Sequence, residues 1–98
     1  MAKFEDIVKS HPIVLVDFHA TWCGPCKALA PILKDLKNKM KDQIKIVKID
    51  VDKHQVLSGQ LGVRGVPTMI LYKDGKQVWR QSGVVPLHSL VQVIGGYL

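Results

Sequence analysis

The sequence predicts an α/β fold: one four-stranded mixed sheet with helices packed on both faces. Three observations lead there. Apolar runs dense in β-branched residues occur at residues 13–18, 44–51 and 68–73, and the stretch between the first two repeats its apolar residues at helical steps. Asp74-Gly75 then splits the third run from a fourth at residues 77–82. Strand, helix, strand makes a right-handed βαβ half with parallel pairing, and strand, tight turn, strand makes an antiparallel half.

Ninety-eight residues, 47% hydrophobic and 22% charged, are enough for one domain over residues 1–98 and too few for two. That balance excludes a disordered or fibrous chain. Fourteen Lys and Arg against eight Asp and Glu leave +6, which attracts acidic partner surfaces without specifying a fold. A nucleic-acid binder would need aromatics interleaved with the basic residues or Gly-rich loops, and neither is present, so no nucleic-acid partner is expected. The start, Met1-Ala2-Lys3-Phe4-Glu5-Asp6, carries acids and no apolar leader core, and residues 13–16 are too few to cross a bilayer. The expectation is a soluble, cytoplasmic protein without membrane attachment.

Phe4, Ile7 and Val8 share helical spacing until Ser10-His11-Pro12, where the residue before proline resists the α conformation. Ile13-Val14-Leu15-Val16-Asp17-Phe18 has the pattern of a strand covered on both faces, broken by one carboxylate, Asp17. From Cys26 onward Leu29, Leu33, Leu36 and Met40 recur at steps of three and four, while Lys27, Lys34, Lys37 and Lys41 take mostly other faces. This is an amphipathic helix of about four turns, kinked at Pro31. A second strand over residues 44–51 follows, then a short helix from about residue 54 to 61 that stops at Gly62. After the hairpin, Leu87, Leu90, Val91 and Ile94 line one face of a closing helix over residues 86–98.

The only two cysteines, Cys23 and Cys26, stand four residues apart end to end in Trp22-Cys23-Gly24-Pro25-Cys26. Bridging them would close almost no loop, so stapling the fold is a poor account of them. They lie where the first strand gives way to the long helix. Unpaired N–H groups and the positive end of the helix dipole favour negative charge there, so Cys23 ionises more easily than a free thiol, which is about 3% thiolate at pH 7. Cys26, one turn further in, is shielded but within disulfide reach. An exposed thiolate that attacks and a second thiol that resolves is what two-step disulfide exchange requires. Zinc would need four ligands, and no second Cys pair or closely spaced His pair completes a site, since His19 and His54 are isolated. A plain buried pair or a cluster shared across a dimer explains the Trp and the Gly-Pro insert less well.

Asp17 stands out independently. A carboxylate inside an apolar strand is protonated or finds a partner, and its pKa rises. It is expected to accept the proton of Cys26, with Lys48 on the neighbouring strand as its ionic partner.

Val16-Asp17-Phe18, Trp22-Cys23-Gly24-Pro25-Cys26-Lys27, Ala30-Pro31, Lys48-Ile49-Asp50-Val51-Asp52, Gly65-Val66-Pro67-Thr68 and Lys73-Asp74-Gly75 together resemble the thioredoxin family in order and spacing, from about Ile13 to the end. The resemblance implies a thioredoxin fold and a protein disulfide reductase cycling Cys23 and Cys26 between dithiol and redox-active disulfide. Cys23 corresponds to the nucleophile and Cys26 to the resolving thiol. Gly24-Pro25 is the insert of reducing members, Pro67 corresponds to the family's cis-proline, and Val66 would offer its backbone to an extended substrate. Trp22 would shield the thiols and touch substrate. The resemblance also implies no bound metal or cofactor, electrons from a separate thioredoxin reductase, disulfide-containing protein substrates and a monomeric chain.

Three departures from the family stand out. His19 occupies a place usually held by Trp, putting a titratable ring near the active-site strand, where an exposed and inert His is the simplest expectation. Thr21 stands where an acidic residue is common. Only about twelve residues precede the Ile13 strand, all assigned to the first helix and its exit, so the strand that commonly opens such proteins is expected to be missing. The strand over residues 44–51 then becomes a sheet edge that a second copy could pair with, discouraged by Lys45 and Lys48.

Overall fold

The computed structural model describes residues 3–98. α1 (Phe4–Val8) leads into β1 (Ile13–His19), and α2 (Gly24–Met40) connects β1 to β2 (Lys45–Asp50). After α3 (Gln55–Gln60), β3 (Thr68–Lys73) and β4 (Lys76–Ser82) form the hairpin and α4 (Leu87–Gly95) closes the fold. The sheet order is β2-β1-β3-β4, with β1 parallel to β2 and antiparallel to β3, and β3 antiparallel to β4. The expected mixed sheet is formed, with β1 and β3 in its interior.

Strand periodicity divides the core. Ile13, Leu15, Met69 and Leu71 project to one face and pack with Leu29, Leu33, Leu36 and Met40 of α2 and Leu90 and Ile94 of α4. Val14, Val16, Phe18, Ile70 and Tyr72 project to the other, against Val8 and Phe4 of α1 and Leu57 and Leu61 of α3. Two-sided cover is why β1 reads as a continuous apolar run. Each fully buried Leu, Ile or Phe contributes about 1.5–3 kcal/mol relative to leaving it exposed. By the same alternation Asp17 lies on the α2 face, in line with Ile13 and Leu15 and at the end of β1 that leads to the cysteines.

Turn chemistry follows the residues. Asp74 (φ 51°) and Gly75 (φ 82°) supply the two left-handed positions of a tight hairpin turn. Gly62 (φ 67°) ends α3, where its N–H bonds the Gly59 carbonyl and the Val63 N–H bonds the Ser58 carbonyl, a Schellman arrangement. Several boundaries differ from expectation by a residue or more: β1 gains His19, and β2 spans Lys45–Asp50 rather than residues 44–51. α2 starts at Gly24 rather than Cys26, because Cys23 serves as its N-cap and Pro25 fits the first turn, whose N–H groups have no helical partner anyway. β4 gains Lys76, and α4 spans Leu87–Gly95 instead of residues 86–98, with Pro86 as its extended N-cap.

Among the described residues β2 pairs only with β1 and forms a sheet edge carrying exposed Lys45 and Lys48. No helix among them is long and apolar enough to cross a membrane.

Candidate active site

β1 ends at His19, and Ala20 and Thr21 turn the chain into Trp22-Cys23 at the head of α2. The Cys23 N–H donates to the Ala20 carbonyl at 3.3 Å, which fixes this turn. Cys23 and Cys26 form a disulfide with a Cα–Cα distance of 5.3 Å. The Cys26 N–H donates to Cys23 Sγ at 3.1 Å, so the sulfur occupies the position of a capping oxygen. A thiolate there would receive the same N–H and face the positive end of a 17-residue helix.

Exposure differs from expectation. Cys23 is 4% exposed and Cys26 8%, so in the disulfide both residues are covered and the expected nucleophile is not the more open of the two. Cys23 and Cys26 form a small cluster with Ala20, packed against Val51 and Val66. What stays open is Trp22, 69% exposed, and the Gly24-Pro25 turn beside it. The Trp22 indole N–H donates to Asp52 Oδ2 at 2.8 Å, tethering the ring to the loop after β2. Sequence reasoning gives Asp52 no role, since the two residues stand 30 apart and neither periodicity nor spacing links them.

The loop before β3 brings the remaining candidates. The Val66–Pro67 peptide is cis. Thr68 Oγ1 donates to the Gly65 carbonyl at 2.7 Å and the Gly83 N–H to the Pro67 carbonyl at 2.9 Å, which pins the loop on both sides. The Val66 carbonyl oxygen lies 3.6 Å from Cys23 Sγ. A shallow hollow of about 120 Å³ runs beside it, lined by Trp22, Val51, Val63, Arg64, Gly65 and Val66.

On the other side of the pair is a hollow of about 190 Å³ whose lining includes Asp17, His19, Cys26, Lys27, Ala30 and Lys48. Asp17 is 3% exposed and its Oδ1 has no hydrogen-bond partner. Burial pushes its carboxyl above the ordinary value of 3.8, with His19 and then Lys48 partly opposing by their positive charge. Lys48 is the register partner of Asp17 across the β1–β2 pair. No ion pair joins them: the one ion pair among the described residues is Lys9–Glu5. Lys48 lies on the edge strand with its side chain exposed, where water solvates the ammonium at less cost than desolvating it against a buried carboxylate. His19, expected to be exposed and inert, is instead half-buried and lines the Asp17 hollow. No group of three or more His, Cys, Asp or Glu able to hold a metal occurs among the described residues.

The arrangement therefore offers a reversible disulfide at a helix N-terminus, an exposed aromatic and a free carbonyl on one side, and a buried acid on the other. Such a site can exchange disulfides with another protein. The thioredoxin family model matches residues 1–95 of the chain. Thioredoxin of Bacillus subtilis is 45% identical over 89 residues, covering 91% of this chain and 86% of that protein. Thioredoxin of Haemophilus influenzae is 42% identical over 98 residues, covering 99% and 92%. Among solved structures, a mutant thioredoxin from Halobacterium salinarum superposes with a TM-score of 0.89 at 38% identity, covering 99% of this chain and 84% of that one. The chain belongs to the thioredoxin family of thiol-disulfide oxidoreductases.

Proposed function

We propose that the chain works in the reducing direction, as a protein disulfide reductase. The Cys23 thiolate attacks one sulfur of a substrate disulfide; a Cys23–substrate bond forms, and the other substrate sulfur leaves with the electron pair of the broken bond. Cys26 gives its proton to the Asp17 carboxylate and attacks Cys23 Sγ. The Cys23–Cys26 bond forms, and the second substrate sulfur leaves as a thiolate that solvent protonates. Two electrons have passed to the substrate, and a separate thioredoxin reductase returns them to the pair without a cofactor bound to this chain. The observation that carries this reading is Cys23 Sγ at the cap of α2, accepting the Cys26 N–H.

Trp22, Gly24, Pro25, Val66 and Pro67 form the substrate side: the exposed ring and turn, with the Val66 backbone beside Cys23, suit an extended segment carrying the target disulfide. Lys48 acts at a distance, its charge favouring the Asp17 carboxylate without contact. The chain acts as a monomer, since exposed Lys45 and Lys48 on the free β2 edge discourage pairing with a second copy. A reducing compartment, the cytoplasm, fits a pair that must be kept as a dithiol. The reduction potential of Cys23–Cys26, equilibrated against glutathione, and turnover of insulin disulfides test the direction. A potential well below the glutathione couple together with turnover is expected; a potential near those of disulfide-forming oxidants, or no turnover, would overturn it.

A further inference from the structure

The buried acid has a neighbour that the reductase reading leaves unused. Asp17 and His19 alternate onto the same face of β1, and both line the hollow that also receives Cys26. Asp17 Oδ1 is without a partner, so nothing in the protein occupies the oxygen that would carry a proton. The hollow, about 190 Å³, has room for water between the groups that line it. His19 is the half-buried member at the end of the strand, between the buried acid and solvent.

We propose that His19 is a positioning residue for proton transfer at Cys26, its imidazole facing Asp17 across the shared hollow and passing to solvent the proton that Asp17 takes from the thiol. This rests on Asp17 being the acceptor, as read above. In the resolving step the Cys26 proton moves to a carboxylate oxygen of Asp17. Before the next turn that proton leaves for a ring nitrogen of His19, and the imidazolium releases it to water, so one proton enters the relay and one leaves. When the pair is re-reduced the same path runs backwards and returns a proton to Cys26. As an imidazolium, His19 first holds Asp17 in its carboxylate form, the form able to accept, and it gives that earlier proton to water before a ring nitrogen takes the one from Asp17.

The other charges around the pair come from two elements. Lys48 of β2 and Lys27 of α2 line the hollow, and Cys26 enters it from α2. Asp50 of β2 is the register partner of His19, with its Oδ1 already accepting the Asp52 N–H at 2.9 Å. Among the side-chain types that line the hollow, imidazole is the one whose chemistry suits proton exchange near neutrality.

The test is the pH profile of mixed-disulfide resolution in a single turnover, for the unaltered protein, His19→Gln, His19→Lys and Asp17→Asn. Loss of the imidazolium leaves Asp17 protonated to higher pH, so the acid limb in His19→Gln moves upward and its rate falls several-fold further at pH 6 than at pH 8. His19→Lys keeps a positive charge and restores the position of the limb, though not the proton release; its rate stays below that of the unaltered protein at every pH. A limb in His19→Gln that coincides with the unaltered one, while Asp17→Asn abolishes it, overturns the role of His19 and leaves Asp17 as acceptor. A limb unmoved in Asp17→Asn overturns both. His19→Lys matching His19→Gln throughout removes the charge from the account and overturns the inference as well.

Discussion

Asp17 Oδ1 and Tyr72 Oη are both buried without a hydrogen-bond partner among the described residues, on opposite faces and towards opposite ends of the β1–β3 pair. Asp17 pairs with Met69 beside the cysteines, whereas Tyr72 pairs with Val14 at the far end and meets the Phe4 ring edge-on, centroids 5.7 Å apart. Burial raises both groups above their ordinary pKa, and an unmade hydrogen bond leaves each with an uncompensated desolvation penalty. Only Asp17 opens onto a hollow shared with Cys26. In the function proposed above the same defect serves the chemistry at one end of the sheet and is merely tolerated at the other, and surroundings rather than burial make the difference.

The largest effect expected is at the cysteines themselves. Cys26→Ser removes the sulfur proposed to resolve the mixed disulfide, so disulfide-exchange turnover is expected to fall by roughly three orders of magnitude or more. The mixed disulfide on Cys23 accumulates in its place, visible as added mass under non-reducing conditions. Turnover persisting in this variant would mean that the reactive end of the sheet is not where the comparison puts it.

The structural end breaks differently. Leu15, fully buried in line with Asp17 on the α2 face, is expected to lose about 2–5 kcal/mol of stability as Leu15→Ala. The reduction potential should stay unchanged, because the cavity opens beneath the helix body and not at its cap. Urea unfolding and redox equilibration of the same variant separate the two, and a shifted potential would show that the ends are coupled.

Much of this was legible because it is local. β1, the face of α2 and the turn at Asp74-Gly75 follow from spacing, since a residue's neighbours along a helix or strand are fixed by periodicity. The cysteine pair was legible for the same reason, being a short motif at a strand-to-helix junction. Contacts between distant segments were not. Trp22 with Asp52 depends on how loops meet after the sheet has formed, and the Val66 carbonyl beside Cys23 followed from the family resemblance and not from spacing. The unformed Asp17–Lys48 ion pair teaches the same lesson: register made them neighbours, and solvation of an edge-strand lysine decided against contact. Cys23 looked exposed because helix ends usually are, whereas the disulfide and the cluster around Ala20 cover it.

Asp17→Asn sharpens the comparison because function and stability should move in opposite directions. With its folded pKa above the ordinary 3.8, the folded chain holds the proton more tightly than the unfolded one. Stability from that protonation is fully present below 3.8 and is lost as pH rises through the folded value. Asn copies the protonated shape without the charge, so the variant should melt higher than the unaltered protein at pH 8 and match it most closely at low pH. Its resolving step should slow at the same time. A lower melting temperature at pH 8 would mean that the carboxylate is compensated by a favourable interaction with another group.

Tyr72→Phe is the smallest of these effects and the control for the rest. The hydroxyl has no partner to lose, so deleting it removes a desolvation penalty and leaves a ring that still packs against Phe4. The change in stability is expected within about 1 kcal/mol, towards greater stability, with turnover and pH profile unchanged. Above the ordinary tyrosine range the difference should widen, because burial makes ionising the Tyr72 phenol harder in the folded chain than in the unfolded one. Stability of the unaltered protein therefore falls as pH climbs through that range, and the Phe variant is spared this contribution. Thermal melts at pH 7 and pH 11 measure both parts. A destabilisation at pH 7 of more than about 1 kcal/mol would mean that the hydroxyl has a partner, an ordered water included, and that the two buried oxygens are not equivalent defects.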